Sequence, residues 1–258
     1  MSHTLSTLLL AVGLFAGMLL LMVVGHRLGA RSHQADPDGA GGGIGALDGA
    51  VFALLGLLIA FTFSGAASRF DARRQLIVEE ANAIGTTYLR VDTLPEDAQP
   101  ALRELLRKYL DSRLAVYRAL PDIAAAHREL VESAKLQGDI WTRAVAGCRA
   151  AGPLPAAMLL LPALNAMIDI TTTRTMAAQL HPPAVVFVLL FAVGLGCALL
   201  AGYAMASTKT LRWPHMIAFA AITALTVFVI LDLEHPRLGL IRLDAFDQVL
   251  VDLRESMR

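Results

Sequence analysis

The chain has 258 residues, of which 56% are hydrophobic and 17% are charged. Lysine plus arginine and aspartate plus glutamate each number 22, so the formal net charge is zero and no basic field favours nucleic acid as a partner. The apolar residues are concentrated in four blocks, a pattern typical of an all-α integral membrane protein with a soluble insert. Cys148 and Cys197 provide no disulfide framework, and we interpret both as packing residues.

The first apolar block, Leu5 to Gly25, is uncharged and reaches the length of about 20 residues that a transmembrane helix requires. A cleaved signal peptide is the alternative. It fits poorly, because no Lys or Arg precedes the block and the apolar run exceeds the usual ~7–15 residues. The next residues, His26 to Gly45, are rich in glycine and aspartate and lack periodicity, which predicts a flexible loop.

The second block, Gly49 to Ser68, also has the length of a membrane span, and charged residues follow it without any proline. Nothing in this stretch ends a helix. We therefore predict one continuous helix from Gly45 to Tyr88, which leaves the membrane and becomes the first element of a soluble domain.

The soluble insert between the second and third blocks is predicted to be helical. Apolar residues recur at helical spacing in it, and no segment alternates as a strand does. Pro121 and the run GPLP at 152–155 separate the helices, and Pro162 is expected to kink the last one. The predicted helices are Pro100 to Leu120, Asp122 to Arg149 and Ala156 to Leu180.

The third and fourth blocks, Pro183 to Ala206 and Trp213 to Leu231, are separated only by STKTLR, which predicts a tight transmembrane hairpin. Trp213 stands where an interfacial aromatic residue is expected. The polar tail that follows contains a possible short helix from Phe246 to Met257.

These patterns predict domain divisions at 1–67, 68–182, 183–232 and 233–258. Arginines flank the spans more densely on the side of the insert than on the opposite side. By the positive-inside rule, the insert and both termini are expected in the cytoplasm of a multi-pass protein of the bacterial inner membrane.

The sequence contains no recognisable catalytic constellation. HExxH, CxxC, GxSxG and GxxxxGK[ST] are absent, and the seven histidines are scattered. The glycines of GAGGGIG precede a membrane span rather than a strand-to-helix phosphate turn. We therefore predict no catalytic residue, no metal site and no cofactor, and a membrane enzyme is the most remote alternative.

Small residues form a stripe on the second span, at spacings of three and four: Gly49, Ala53, Gly56 and Ala60. Such a stripe lets another helix approach closely, because packing drives helix association in lipid. The partner helix belongs either to the same subunit or to a neighbouring one.

A neighbouring face of the same helix is charged at both membrane ends and apolar between them. Such a face suits a narrow pore with a hydrophobic constriction, although a lipid-facing or core-facing stripe is an equal alternative. The pore-lining candidates on this face are Asp48, Phe52, Leu55, Ile59, Thr62, Ala66, Arg69 and Arg73. Arg69 and Arg73 lie one turn apart and repel each other, so we expect a lipid phosphate, a neighbour's carboxylate or a permeating anion beside them.

Three groups of polar residues outside the spans are further candidates for functional or ion-pairing sites. Glu79, Asn82 and Thr86 either line a cytoplasmic vestibule or face solvent and the next helix. Asn165, Asp169, Thr172 and Thr173 form a similar stripe, in which Asp169 is expected to pair with Arg174 or with an arginine of the second helix. Asp232, Glu234 and His235, at the end of the fourth span, form a cation or proton-sensing site or pair with Arg237, Arg242 or the juxtamembrane arginines.

The chain resembles a bacterial family described as bestrophin-like domain proteins, from the second span almost to its end. The resemblance rests on LLGLLIAFTFSGAASRFDARRQLIVEEANAIGTTYLRVDTLP, LRELLRKYLDSRLAVYRALP and LDLEHPRLGLIRLDAFDQVLVDLR. It implies distant kinship with bestrophins, oligomeric anion channels whose second transmembrane helix lines a hydrophobic neck. Phe52, Ile59 and Phe63 are the bulky apolar candidates for such a neck.

The resulting expectation is a homo-oligomeric channel for monovalent ions, a pentamer by analogy, embedded in membrane lipids. The alternative is a membrane-anchored scaffold or sensor whose helical insert binds a cytoplasmic protein partner.

Overall fold

The computed structural model describes residues 3–35, 44–152, 155–207 and 212–257. These residues are almost entirely helical and contain no strand, so the all-α prediction is confirmed. The helices are α1 (His3–Ala35), α2 (Ile44–Arg90), α3 (Gln99–Ala119), α4 (Ile123–Ala150), α5 (Pro155–Gln179), α6 (Ala184–Ala204), α7 (Trp213–Leu233) and α8 (Gln248–Ser256).

Four helical stretches among the described residues are long and apolar enough to cross a membrane. They include α1, the first half of α2, α6 and α7. This confirms the four predicted spans. Pro162 lies inside α5, which is helical on both sides of it.

The second helix is unbroken over 47 residues, from Ile44 to Arg90. The predicted continuous helix is therefore confirmed. Its stretch contains no proline, the one residue that would break a helix outright, although it includes five glycines. Its basic residue Arg90 stands in the last turn, where a cation complements the helix dipole.

The predicted loop from His26 to Gly45 is wrong in its first part, because α1 continues to Ala35. The segment contains alanine, leucine and arginine, and its first proline is Pro37, so nothing before that point forbids a helix. Gly29, inside the predicted loop, lies in α1 at a point where the Tyr203 backbone leaves no room for a side chain. Residues 36–43 of the predicted loop lie outside the described residues, and its last two, Ile44 and Gly45, already belong to α2.

One compact unit consists of residues 1–68 and 181–240. Its core includes Met18 and Met22 of α1, Leu55 of α2, Cys197 of α6 and Ala220 of α7. A side chain at Gly25 would collide with the backbone of Leu199, and one at Gly202 with the backbone of Met22. Glycines on both helices therefore let α1 and α6 pack backbone to backbone.

The other compact unit consists of residues 69–180 and 241–258. Its core includes Ile77 and Ile84 of α2, Tyr109 of α3, Ile140 of α4 and Leu164 of α5. The C-terminal α8 packs on this core through its own apolar side chains, with Leu250 fully buried. Arg254 Nε and Nη2 donate to the two carboxylate oxygens of Asp111 at 2.8 and 3.0 Å, a bidentate contact that fixes the orientation of α8.

Candidate functional site

The predicted pore face of α2 is in large part the face that packs within its own chain. Leu55 and Ala66 are buried, and Phe52 meets Phe219 edge-to-face at 5.9 Å between ring centroids. Asp48, Ile59, Thr62 and Arg69 are half-buried. The Thr62 hydroxyl donates to the carbonyl of Leu58 at 2.7 Å, so its hydrogen bond stays within the helix.

The stripe of small residues lies on an exposed face. Gly49 and Gly56 have no neighbouring atom within 4 Å of an added Cβ, and Ala53 and Ala60 are exposed. The alternative that this stripe packs within one subunit is therefore wrong for the part of the chain that the structure describes. Phe63, on the edge of the stripe, is also exposed.

The side of α2 opposite its buried face was not singled out in the sequence. Leu57 and Phe61 lie on it, with 52% and 68% of their surface exposed. At about 100° per residue, Leu57 stands roughly 200° from the buried Leu55. This side of α2 could not be identified from the sequence, because the sequence does not show which face of the helix the other spans cover.

Arg73 is buried rather than presented to an aqueous channel. Its Nε donates to the carbonyl of Ala177 at 3.0 Å and its Nη2 to the carbonyl of Leu180 at 2.9 Å. These are carbonyls at the C-terminal end of α5, where a cation is favoured by the helix dipole. The arginine thus caps α5.

A charged cluster that the sequence analysis missed is buried in the same unit. Glu80 of α2 accepts from Arg113 Nε of α3 at 2.5 Å and pairs through its other oxygen with Arg174 of α5. Tyr117 donates its hydroxyl to Glu80 at 3.2 Å, and the Arg174 guanidinium lies 4.2 Å from the Tyr117 ring centroid. Four side chains therefore bind three helices together.

The electrostatics of this cluster favour its charged form. Burial lowers the pKa of the Arg113 guanidinium, but Tyr117 and Glu80 outweigh this effect and raise the pKa above its ordinary value. Arg113 Nη1 is buried and has no hydrogen-bond partner among the described residues. The two arginines face one carboxylate, so the cluster depends strongly on Glu80 remaining ionised.

A sequence signal for this cluster did exist. Glu80 stands three residues after Ile77 and four before Ile84, both of which are buried, so it interrupts an apolar helical face. Arg113 likewise falls between the buried Tyr109 and Leu114. The sequence interpretation had emphasised the exposed Glu79 instead.

The predicted vestibule residues Glu79, Asn82 and Thr86 are exposed on α2. Gln75 Nε2 donates to Glu79 Oε1 at 2.9 Å on this surface. On α5, Asn165, Asp169, Thr172 and Thr173 are exposed as well. The expected pairing of Asp169 with Arg174 is wrong, because Arg174 turns inward to Glu80.

The carboxylates at the end of α7 are buried. Both oxygens of Asp232 accept from the backbone N–H of Leu240, at 3.0 and 2.9 Å, and so hold the following loop. Glu234 Oε2 lies 3.6 Å from His181 Nδ1, whereas Arg242 pairs with Asp244. No group of histidine, cysteine, aspartate and glutamate in the described chain has the arrangement of a metal site.

Four helical stretches of membrane length make this a helical membrane protein. Its buried charged cluster binds helices together, and no catalytic centre is recognised among its described residues. The sequence profile of the Bestrophin-like domain matches residues 12–245. This chain therefore belongs to the bestrophin-like family. Among curated proteins, no sequence matches it.

Solved structures support the same fold. A bacterial bestrophin homologue from Klebsiella pneumoniae with a Trp-to-Ala substitution superposes with a TM-score of 0.69 at 18% identity, covering 95% of this chain and 98% of the other. A Leu-to-Thr variant of a homologue from the same organism gives 0.64 at 16% identity, covering 94% and 97%. A Tyr-to-Ala variant gives 0.60 at 17% identity, covering 92% and 98%.

Proposed function

We propose that this protein is a homo-oligomeric ion channel of the bacterial inner membrane, with α2 of each subunit around the pore. The observation that carries the proposal is the long α2, whose small-residue stripe is exposed and has no partner among the described residues of its own chain. In lipid, small exposed residues favour close contact with another helix. Membership of the bestrophin-like family points to transport across the membrane rather than to catalysis.

The pore face that we propose is the one opposite the buried side of α2. A residue that lines a shared axis must be exposed in the single subunit, as Leu57 and Phe61 are. The exposed vestibule candidates Asn82 and Thr86 follow on the same side of the helix at about 100° per residue. An apolar constriction at Leu57 and Phe61 gates by dewetting.

The small-residue stripe stands between this face and the buried face. In a ring it meets α2 of the next subunit, with Phe63 at the edge of the contact. The insert and both termini face the cytoplasm in this arrangement, in accordance with the arginine bias of the spans. The transported species that we propose is a monovalent ion, in keeping with the resemblance to bestrophin channels.

The test is ion flux into liposomes that contain the purified full chain, for sodium, potassium, chloride and protons. Leu57→Ala is compared with Ile59→Ala, since both are aliphatic residues of one turn that lie about 200° apart. We expect Leu57→Ala to raise the flux several-fold and Ile59→Ala to leave it near the wild-type value, because a smaller side chain at the constriction lets water enter it.

Three outcomes decide between the possibilities. A response to Ile59→Ala alone places the pore on the face predicted from sequence. A response to Leu57→Ala alone supports the opposite face, and Phe61→Ala against Phe63→Ala repeats the comparison with a second matched pair. Vesicles that stay tight to all four ions exclude the channel.

A scaffold remains the second candidate function because α4 exposes large apolar side chains. Ile123 and Val131 are among them, and Trp141 is partly exposed on the same helix. The proposed partner is a protein that covers this surface. Crosslinking from position 131 in cells tests it, and the same crosslink to a second copy of this chain assigns the surface to the oligomer instead.

A further inference from the structure

Three histidines from distant parts of the sequence meet at one end of the compact unit formed by residues 1–68 and 181–240. His3 begins α1, His181 lies in the segment before α6, and His235 follows α7. The ring centroids of His181 and His235 are 4.5 Å apart with the rings stacked, and those of His3 and His235 are 3.9 Å apart with the rings tilted. His235 is thus the middle ring of a stack of three.

Two buried carboxylates, Asp232 and Glu234, flank the end of α7 that His235 follows. Glu234, only 1% exposed, approaches His181 at 3.6 Å. The Asp232 carboxylate accepts from the Leu240 backbone and holds the loop that carries the stack. His235 Nδ1 lies 3.5 Å from the Leu231 carbonyl, His3 Nδ1 lies 3.5 Å from the Thr7 hydroxyl, and Arg237 stands two residues beyond His235.

Face-to-face packing makes the stack unsuited to a metal ion, which needs ring nitrogens directed at a common point. The ligand that such a stack responds to is the proton, because histidine changes charge near neutral pH. Glu234 lies beside His181, the Asp232 carboxylate accepts from the Leu240 backbone, and two adjacent positive rings repel each other.

We propose that His3, His181 and His235 form a shared proton-binding site whose protonation separates the start of α1, the segment before α6 and the end of α7. Glu234 faces His181, and stacked rings that both carry a positive charge repel each other, so protons enter as the rings move apart.

The direction of the pH effect follows from the central ring. Burial, His3 and His181 lower the pKa of His235, and the Leu231 carbonyl and Glu234 oppose them only in part. The separated arrangement therefore binds more protons than the stacked one below the ordinary histidine pKa of about 6.5. The stack is stable above that pH and loosens as the pH falls through it.

The experiment is hydrogen–deuterium exchange of the full chain in nanodiscs at about pH 7.5 and about pH 5.5, corrected for intrinsic exchange rates. We expect exchange in peptides containing His3, His181 and His235 to be several-fold faster at the lower pH, because the separated arrangement binds more protons there. His235→Gln removes the central titrating ring and should abolish the acceleration. His215→Gln, an exposed histidine on α7, is the matched control and should retain it.

Glu234→Gln provides a second measurement that does not depend on the folding of the His235 variant. Without the carboxylate the stack should loosen at a higher pH than in the wild type. Exchange that is independent of pH overturns the proposal, as does a His235→Gln variant with the wild-type pH response. No flux is measured, so the result is independent of whether the protein conducts ions.

Discussion

Glu79 and Glu80 are adjacent, but α2 turns by about 100° per residue, so their side chains enter different surroundings. Glu79 is exposed and accepts a surface hydrogen bond from Gln75. Glu80 is fully buried and forms ion pairs with two arginines from two other helices. Removing one charge from such a buried cluster leaves the remaining charges without compensation.

We therefore predict that Glu80→Gln lowers the free energy of unfolding by roughly 3 kcal/mol, because Arg113 and Arg174 stay buried beside a neutral side chain. The measurement is chemical unfolding of the detergent-solubilised protein, followed by circular dichroism. Glu79→Gln is the control, and a surface change of this kind should stay within about 0.5 kcal/mol of the wild type. Equal effects of the two substitutions would contradict the assignment.

At the scale of elements, the contact between α1 and α6 is closer than ordinary helix packing. Gly25 and Gly29 of α1 and Gly202 of α6 leave no room for a Cβ, and the atoms in the way are largely backbone. A flexible side chain can move aside, whereas a helix backbone moves only as a whole. The two helices therefore separate if any of these glycines gains a side chain.

Gly25→Ala should accordingly destabilise the protein by about 1–3 kcal/mol, through overpacking against the Leu199 backbone. Gly13→Ala is the matched control, since Gly13 lies on the same helix with nothing within 4 Å. Thermal unfolding in one detergent at one protein concentration compares the two. A loss of stability in the Gly13 variant as large as that in the Gly25 variant would argue against the close contact.

At the scale of the whole molecule, the exposed glycines of α2 should determine association between subunits. Native mass spectrometry from nanodiscs should detect a ring of identical subunits for the wild type, a pentamer by analogy. Gly56→Leu places a large side chain in the proposed contact and should weaken association at least roughly tenfold. Gly13→Leu, also at an exposed glycine of a span, should not. A monomeric wild type would exclude the ring.

Much of the architecture was accessible from sequence because it depends on local patterns. Runs of apolar residues predicted the spans, and the absence of proline predicted the unbroken α2. The predicted loop begins too early, because the glycine and aspartate content of His26 to Gly45 indicates a loop, whereas Gly29 within it marks a close helix contact. That distinction depends on a partner helix more than 150 residues away, as the contact with Tyr203 shows.

The candidate site was less accessible for the same reason. Periodicity shows which residues share a face, but it does not show which face the other helices cover, and so a pore wall and a core-facing or lipid-facing stripe were equal alternatives for the face with Leu55. His3 and His181 had no local signal, since their meeting with His235 is a product of the tertiary fold. Glu80 did have one, an acidic residue within the apolar spacing of Ile77 and Ile84.

The cap that Arg73 places on α5 has a mechanical consequence for the opening of the proposed pore. The guanidinium reaches two carbonyls, at Ala177 and Leu180, from one position along α2. If α2 slides along its axis by one turn, about 5.4 Å, both hydrogen bonds break unless α5 travels with it. Opening by translation of α2 therefore requires α5 to move as well, whereas a small rotation about the axis of α2 leaves the two hydrogen bonds intact.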